Sequence, residues 1–265
     1  MNPLIIETKY FVIHSLWLFF TIALIIGTYT FIKLAIRNGL KIQFLSTNAW
    51  KLLLWALIGS RIAYIAENYF LYFYDFSSNT ILQILYVWDQ GLSIWGALLA
   101  FLIAFYYLCK KDETQDFMKW LDAFVPAALI GIAIGSIGTF LDGINYGHET
   151  SLPWGVNFEN PAIKYAVPIH PTQIYAFLYS LAIGIGLVLI APIKKIKNIE
   201  LPGFIGLLGL ITYGFFHFLE GFVRGDDTLL ILGIRTPQIL SALLAISAGT
   251  LIIMRYNKHI KKSKK

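Results

Sequence analysis

Long apolar stretches separated by short polar connections run through the whole chain. Each stretch is close to the roughly 20 residues that an α-helix needs to cross the hydrocarbon core of a bilayer. Seven such stretches occupy residues 11–36, 50–66, 91–109, 118–141, 172–193, 202–222 and 237–254. The pattern predicts an all-α, polytopic membrane protein with about seven transmembrane helices. We expect residues 1–265 to form a single integral membrane domain.

Two connections are long enough to carry structure of their own. Residues 67–90 are rich in Tyr, Phe and Trp. These side chains collect at the headgroup level of membranes, so we expect an amphipathic, interfacial segment there. Residues 142–171 contain Pro153, Pro161 and Pro168 among polar side chains, which favours a folded loop at one membrane face.

Composition excludes a water-soluble domain. The 265 residues are 57% apolar and only 14% charged, whereas about a quarter of the residues in a soluble domain are charged. Too few polar groups remain to cover a water-exposed surface. The single cysteine, Cys109, cannot form an internal disulfide.

The basic residues are distributed unevenly between the two faces. Sixteen of the 21 Lys and Arg residues follow predicted spans one, three and five or lie in the carboxyl-terminal tail. By the positive-inside rule that face is cytoplasmic, so the amino terminus is expected outside and the carboxyl terminus in the cytoplasm. The excess positive charge is explained by topology and by contact with anionic membrane lipids, and we expect no nucleic-acid partner.

An ionisable side chain in hydrocarbon needs a partner or a polar cavity, so such residues are the first candidates for chemistry. Arg61, in the second span, lies one turn from Tyr64 and near Glu67. It either pairs with Glu67 or binds a ligand, and the sequence leaves both interpretations open.

Three polar residues lie near the end of the sixth span. His217, Glu220 and Arg224 are spaced three, four and seven residues apart, which places them on one helical face. Together they could deprotonate a nucleophile and hold a phosphate. The alternative is an intrahelical ion pair between Glu220 and Arg224, with His217 packed as an amphipathic ring.

The run HPTQIY begins the fifth span with His170, and Pro171 is well placed in the first turn of a helix. An isolated histidine at a membrane boundary is either a hydrogen-bonded structural residue or a base. No two histidines share ligand spacing with a Cys or a carboxylate at the same depth, so we expect no metal site.

Five sequence blocks, in order, resemble those of a known family. They are GSRIAY in the second span, GSIGTFLDGINYGHETSLPWGVNF after the fourth, HPTQIY, HFLEGFVRGDD at the end of the sixth, and TPQILS at the start of the seventh. These runs are similar to the motifs of the prolipoprotein diacylglyceryl transferases, which have seven spans. The resemblance covers most of the chain.

The resemblance implies a reaction at the outer face of the cytoplasmic (inner) membrane. Family members move the diacylglyceryl group of phosphatidylglycerol to the lipobox cysteine of a prolipoprotein signal peptide and release glycerol phosphate. Neither a metal nor a soluble cofactor is implied. Such a reaction needs a base for the thiol and fixed donors for the phosphate.

By that resemblance, His170 or His217 acts on the thiol, and Arg224, Arg61 and Lys164 meet the phosphate. The expected substrate-binding residues as a group are Arg61, Asn145, Gly147, Gln173, Tyr175, Glu220 and Arg224.

The chain also departs from the family pattern. Uncharged or altered residues occupy motif positions at Trp95, Ser136, Thr139, Ile144, Ala176 and His217, and Glu220 is displaced by one position. Ser136 stands where the family has a phosphate-binding arginine. Two alternatives to an active enzyme therefore remain: a non-catalytic relative that binds lipid or lipoprotein, and a small transporter or scramblase. The second lacks support because no discontinuous helix pair or acidic pair at mid-membrane depth is visible.

Overall fold

The protein is described here from a computed structural model that covers residues 4–7, 12–73, 91–158, 163–191 and 201–263. Helices dominate these ranges, with two short hairpins beside them. In chain order the elements are β1 (Leu4–Glu7), β2 (Val12–His14), α1 (Ser15–Arg37), α2 (Gln43–Glu67), α3 (Tyr69–Phe73), α4 (Ile94–Lys111), α5 (Phe117–Asp142), α6 (Thr172–Ile190), α7 (Phe204–Glu220), β3 (Leu230–Ile231), β4 (Ile234–Arg235) and α8 (Thr236–Ser263).

The all-α, polytopic class predicted from the apolar pattern is confirmed. Helices α1, α2, α5, α6 and α8 are long and apolar enough to cross a membrane. Helices α4 and α7, of 18 and 17 residues, lie where the other two spans were predicted. The aromatic connection at 67–90 contains α3, and from residue 74 onward it lies outside the described residues.

The chain divides into two compact units. One unit is Gly39–Phe117. Within it α2 packs on α4 through two glycines, since a Cβ on Gly59 would lie 2.2 Å from the Ala100 Cβ and 2.7 Å from the Gly96 carbonyl oxygen. Small residues at this crossing let the two backbones approach closely, as is common between membrane helices.

The other unit consists of Met1–Asn38 and Met118–Lys265. Its apolar core joins α5, α6 and α7 through Val125, Leu129, Leu187 and Ile205. A buried carboxylate fixes the start of α7: Asp122 accepts hydrogen bonds of 2.8 Å from the backbone N–H groups of Gly203 and Gly206. Because the first N–H groups of a helix have no partner within the helix, these two bonds attach the start of α7 to α5.

Candidate active site

Three segments that are far apart in sequence meet through backbone hydrogen bonds in the second unit. Loop residues 146–148 lie between the start of α6 and the segment that follows α7. The Gly147 N–H donates to the His170 carbonyl at 3.1 Å, and the His148 N–H donates to the Val223 carbonyl at 2.8 Å. The Gly225 N–H in turn donates to the Tyr146 carbonyl at 2.9 Å. The loop therefore holds His170 and Arg224 in one assembly.

The glycines in these segments are needed because the backbones of the three segments lie unusually close to one another. A Cβ on Gly147 would be 2.5 Å from both the Cβ and the carbonyl oxygen of His170. A Cβ on Gly225 would be 2.6 Å from the Gly147 carbonyl oxygen. Asn145, just before, has φ of 60°, a left-handed conformation that Asn tolerates better than most side chains.

Arg224 is the centre of a charged cluster. Its Nε and Nη2 donate to the two carboxylate oxygens of Asp226 at 2.8 and 2.6 Å, a bidentate pair. Nη2 also donates to Asn145 Oδ1 at 2.9 Å, and Nη1 lies 3.5 Å from Glu220 Oε1. Glu220 and Arg224 therefore pair as part of a larger network. The prediction that His217, Glu220 and Arg224 share one helical face is wrong, because α7 ends at Glu220 and Arg224 lies beyond it, bridged to Gly147.

A second arginine stabilises the same cluster. Arg235 Nη2 donates to Asp226 Oδ1 at 2.8 Å and to the Asp226 carbonyl at 2.7 Å, and Nη1 donates to the Arg224 carbonyl at 3.2 Å. Burial alone would raise the pKa of Asp226, but the Arg224 hydrogen bonds and the two guanidinium charges outweigh it and lower that pKa. Burial likewise opposes the Arg224 charge, yet the bonds and charge of Asp226 raise the pKa of Arg224 above its usual value. Both groups therefore remain charged at neutral pH.

His170 lies in a chain of hydrogen-bonding side chains. Its Nδ1 is 3.1 Å from the Tyr175 hydroxyl, which accepts a 2.8 Å hydrogen bond from Trp154 Nε1. The Tyr175 oxygen accepts from Trp154, so toward His170 Nδ1 the hydroxyl either donates its own proton or accepts a second hydrogen bond, according to the tautomer of the ring. Burial and, to a lesser extent, the nearby His148 lower the pKa of His170. The ring is therefore neutral at pH 7.

Thr172 and Gln173 attach the loop to α6. The Thr172 hydroxyl donates to the Asn145 carbonyl at 2.5 Å, and Gln173 Nε2 donates to the Ile144 carbonyl at 2.7 Å. Gln173 is 2% exposed, and its buried Oε1 has no hydrogen-bond partner among the described residues. Gln173 thus holds the loop, and its predicted contact with substrate stays a prediction.

His217 faces another helix. Its Nδ1 lies 2.8 Å from the Ser241 hydroxyl of α8, and that hydroxyl donates its only proton to the Pro237 carbonyl at 2.6 Å. Nδ1 must therefore carry the proton of the neutral ring and donate it to Ser241. Among the hydrogen bonds of the described residues, none joins His217 to His170. Their predicted roles as alternative bases remain predictions.

Arg61 belongs to the unit formed by Gly39–Phe117 and is described within it. The side chain is 6% exposed, donates from Nη1 to the Gly91 carbonyl at 3.0 Å, and lies over the Tyr64 and Tyr72 rings at 5.7 and 5.6 Å. Glu67 accepts a hydrogen bond of 2.7 Å from the Ser93 hydroxyl. The substrate-binding role of Arg61 stays a prediction.

The substituted motif positions in α5 are occupied by hydroxyls that bond to their own helix. Ser136 donates to the Ile132 carbonyl at 2.8 Å, and Thr139 donates to the Ser136 carbonyl at 2.9 Å. Neither supplies a charge. In the part of the chain that the structure describes, no three His, Cys, Asp or Glu side chains come together as metal ligands.

Three residues of the assembly were missed from the sequence: Trp154, Tyr179 and Arg235. Tyr179 donates to Glu220 Oε2 at 2.7 Å from the neighbouring helix. Arg235 carried a usable signal, since it is one of the few basic residues expected at the outer face. Trp154 also carried a signal, because it lies in the block GSIGTFLDGINYGHETSLPWGVNF that resembles a family motif. Tyr179 carried none, because aromatic residues are common throughout this chain.

Comparison with known proteins points to the same family as the sequence motifs that this assembly joins. The sequence profile of the family described as prolipoprotein diacylglyceryl transferase matches residues 3–254. The chain belongs to the prolipoprotein diacylglyceryl transferase family. The resemblance drawn from the five motif blocks is thereby confirmed, and the family is one of multi-pass membrane proteins.

Named relatives of this diacylglyceryl transferase family match along most of their length. A phosphatidylglycerol–prolipoprotein diacylglyceryl transferase of Finegoldia magna is 33% identical over 258 residues, which is 96% of each chain. One of Prochlorococcus marinus (strain MIT 9301) is 28% identical over 94% of this chain and 90% of its own. One of Cupriavidus metallidurans is 32% identical over 67% and 64% of the two chains.

Proposed function

We propose that this protein transfers the diacylglyceryl group of phosphatidylglycerol to the lipobox cysteine of prolipoproteins. We further propose that it acts at the outer face of the cytoplasmic membrane, with its amino terminus outside and its carboxyl terminus in the cytoplasm. The observation that carries the proposal is the backbone assembly that joins the three family-like blocks around Gly147, His170 and Arg224. The identity of the two substrates is taken from the names of the relatives.

The reaction makes one bond and breaks one. The cysteine thiol loses its proton to a base, and the sulfur forms a thioether bond with the terminal glycerol carbon of the diacylglyceryl group. The bond from that carbon to the phosphate oxygen breaks, and glycerol phosphate leaves with the bonding electron pair. The protein has to accept the thiol proton and stabilise the negative charge on the leaving phosphate.

Arg224 is the proposed phosphate ligand. Its charge is secured by Asp226, and its side chain is 14% exposed, so substrate can reach part of the guanidinium. The same segment is lined by Asn145, by the backbone of residues 145–149 and by Lys164. Lys164 forms an exposed ion pair with Asp227. Since Nε and Nη2 are bonded to Asp226 and Asn145, Arg224 would meet the phosphate through Nη1 and through its positive charge.

His170 is the proposed proton acceptor in preference to His217. His170 is part-exposed and joined through its own backbone to the Arg224 segment, whereas His217 hydrogen-bonds Ser241 of α8. In the neutral ring that acts as the base, Nδ1 carries the proton and donates it to the Tyr175 oxygen, because the Nε2 lone pair is then free to accept the thiol proton. Tyr175 and Trp154 are therefore proposed as residues that orient the base.

The pH dependence of transfer should reveal this base. Only the neutral His170 ring can accept the thiol proton, so kcat/KM should fall as the pH drops through the His170 pKa. That pKa is lowered, so the midpoint should lie below the ordinary imidazole value of about 6.5. The measurement is kcat/KM against pH for purified protein with a lipobox peptide. His170→Gln should remove this acid limb and His217→Gln should retain it. An unchanged limb in His170→Gln would contradict the assignment.

Arg235 should act as a positioning residue for Arg224. Arg235→Gln removes charge-assisted hydrogen bonds to Asp226 and to the Arg224 backbone. Since such bonds contribute about 1.5–3 kcal/mol, we expect transfer to fall by about 10- to 100-fold, mainly through a higher KM for phosphatidylglycerol. The matched control is Arg255→Gln, because Arg255, on α8, also donates from its guanidinium to a backbone carbonyl, that of Pro202, at 3.0 Å. Equal effects of the two substitutions would argue against a positioning role.

The function as a whole can be tested in cells depleted of their own transferase. The chain is expressed together with a lipobox reporter, and the reporter is analysed by mass spectrometry for an added diacylglyceryl group. A gain of that mass is expected. The second candidate, a non-catalytic relative that binds lipid or lipoprotein, is favoured by the uncharged Ser136 and predicts reporter binding without any gain of mass.

A further inference from the structure

The hairpin β3–β4 presents an apolar surface to its surroundings. The chain from Thr228 to Ile234 contains no charged residue. Its large side chains are mostly exposed: Leu229 69%, Leu230 57%, Ile231 46%, Leu232 97% and Ile234 46%. Isolated exposed apolar side chains are ordinary, but three leucines and two isoleucines on one short hairpin form a continuous patch that favours an apolar partner.

The tip of the hairpin is built against local preference. Leu232 and Gly233 form the two-residue turn with φ of 53° and 79°. Turns with two positive φ values favour Asn-Gly or Gly-Gly, and a leucine with positive φ is strained. A leucine that is both strained and almost fully exposed stabilises neither the turn nor the protein core. The exposure of the Leu232 side chain is explained if an apolar medium surrounds it.

The base of the hairpin is held firmly. The Thr236 N–H and hydroxyl both donate to the Leu229 carbonyl, at 3.0 and 2.7 Å. Arg235 connects the hairpin to Arg224 and Asp226. The tip therefore extends from a fixed base that is bonded directly to the proposed phosphate ligand.

We propose that this hairpin inserts its tip into the outer leaflet of the lipid bilayer. The position in the chain supports a lipid surface as the occupant: α7 ends at Glu220, and α8, which is long and apolar enough to span, starts at Thr236. The hairpin thus lies between two membrane helices at one membrane boundary. Insertion places lipid next to the arginine cluster, with headgroups at the level of Arg235 and acyl chains at the level of Leu232. The proposal goes beyond lipid transfer and does not depend on that reaction; only the assignment to the outer leaflet rests on the orientation proposed above.

A single-cysteine fluorescence experiment tests insertion. In a Cys109→Ala background the sequence has no other cysteine, so Leu232→Cys can be labelled with an environment-sensitive fluorophore. The full chain is placed in phosphatidylcholine vesicles that contain a nitroxide on the acyl chains. We expect blue-shifted emission and several-fold stronger quenching than for Ser151→Cys, an exposed polar loop position that serves as the matched control.

Leu230→Cys, on the same hairpin, is the second labelled variant. It tests whether the signal at Leu232 arises only from the substitution at the tip. Both hairpin positions should respond to acyl-chain nitroxide, and melting in detergent should match the unlabelled parent. Emission at both positions equal to that of the Ser151 label, without quenching by the lipid nitroxide, would overturn the proposal. That outcome includes the case in which an added lipobox peptide alone shifts the emission, because the occupant would then be peptide. Transfer activity is not read in this experiment, so its result is separate from that of the proposed function.

Discussion

Replacing Arg224 with glutamine is expected to reduce diacylglyceryl transfer by about 100- to 1000-fold, the range found when one fixed donor to a developing negative charge is removed. Glutamine keeps one amide donor but has neither the charge nor the fork. Arg224 is the residue that bonds at once to Asp226, Asn145 and Glu220. Few other positive charges lie near the segment, and Ser136 supplies none. The measurement is kcat/KM for phosphatidylglycerol with a lipobox peptide.

A structural role for Arg224 has to be separated from phosphate binding. Arg224→Gln alone leaves the partly buried Asp226 facing only Arg235, and an unpaired buried charge destabilises a protein. The double variant Arg224→Gln, Asp226→Asn removes both charges. If Arg224 binds phosphate, the double variant should melt close to the parent and remain inactive. Recovery of transfer in the double variant would show that Arg224 serves only to neutralise Asp226.

Replacing Gly147 with alanine is expected to impair both stability and transfer. The added Cβ would meet the Cβ and carbonyl oxygen of His170 at 2.5 Å and the Val223 carbonyl oxygen at 2.9 Å. Two of these three atoms belong to backbone, which cannot move without breaking the bonds that join the segments. Overpacking of this kind destabilises by about 1–3 kcal/mol. Transfer should fall by at least about tenfold, since His170 and Arg224 are positioned through this residue.

Gly135→Ala is the matched control. Gly135 lies in α5, and a Cβ there meets no atom within 4 Å. It should leave transfer and the melting temperature in detergent close to those of the parent. Equal loss in Gly135→Ala and Gly147→Ala would mean that glycine replacement acts through general helix or membrane effects and not through the assembly.

The sequence predicted where the membrane helices lie but not their full lengths. The second apolar stretch was placed at 50–66, whereas α2 begins at Gln43. The last was placed at 237–254, whereas α8 continues to Ser263 through Lys258 and Lys261. Apolar content reports which residues lie in hydrocarbon, and the backbone can stay helical beyond it. The extra turns are polar and therefore carry no hydropathy signal.

The contacts of individual site residues were also predicted only in part, because spacing along the chain is local information. Glu220 and Arg224, four residues apart, do pair, but α7 ends at Glu220 and Arg224 follows it, so the turn after the helix brings the two side chains together and helical spacing does not. His217 satisfied the same spacing rule, but its ring hydrogen-bonds Ser241 of another helix. Spacing within one helix fixes a face, and it does not say which helix packs on that face.

By itself, the sequence determined that this chain is a polytopic membrane protein and to which family it belongs. Both conclusions rest on local information: runs of apolar residues that match the bilayer thickness, and short motifs that can be compared directly. Only the tertiary structure decided that the glycine-containing loop joins His170 to Arg224 and that Arg235 supports Asp226. Asn145 and Arg224, which share a hydrogen bond, are 79 residues apart. Contacts over such distances depend on how helices pack and loops close, and no local pattern of residues encodes that packing.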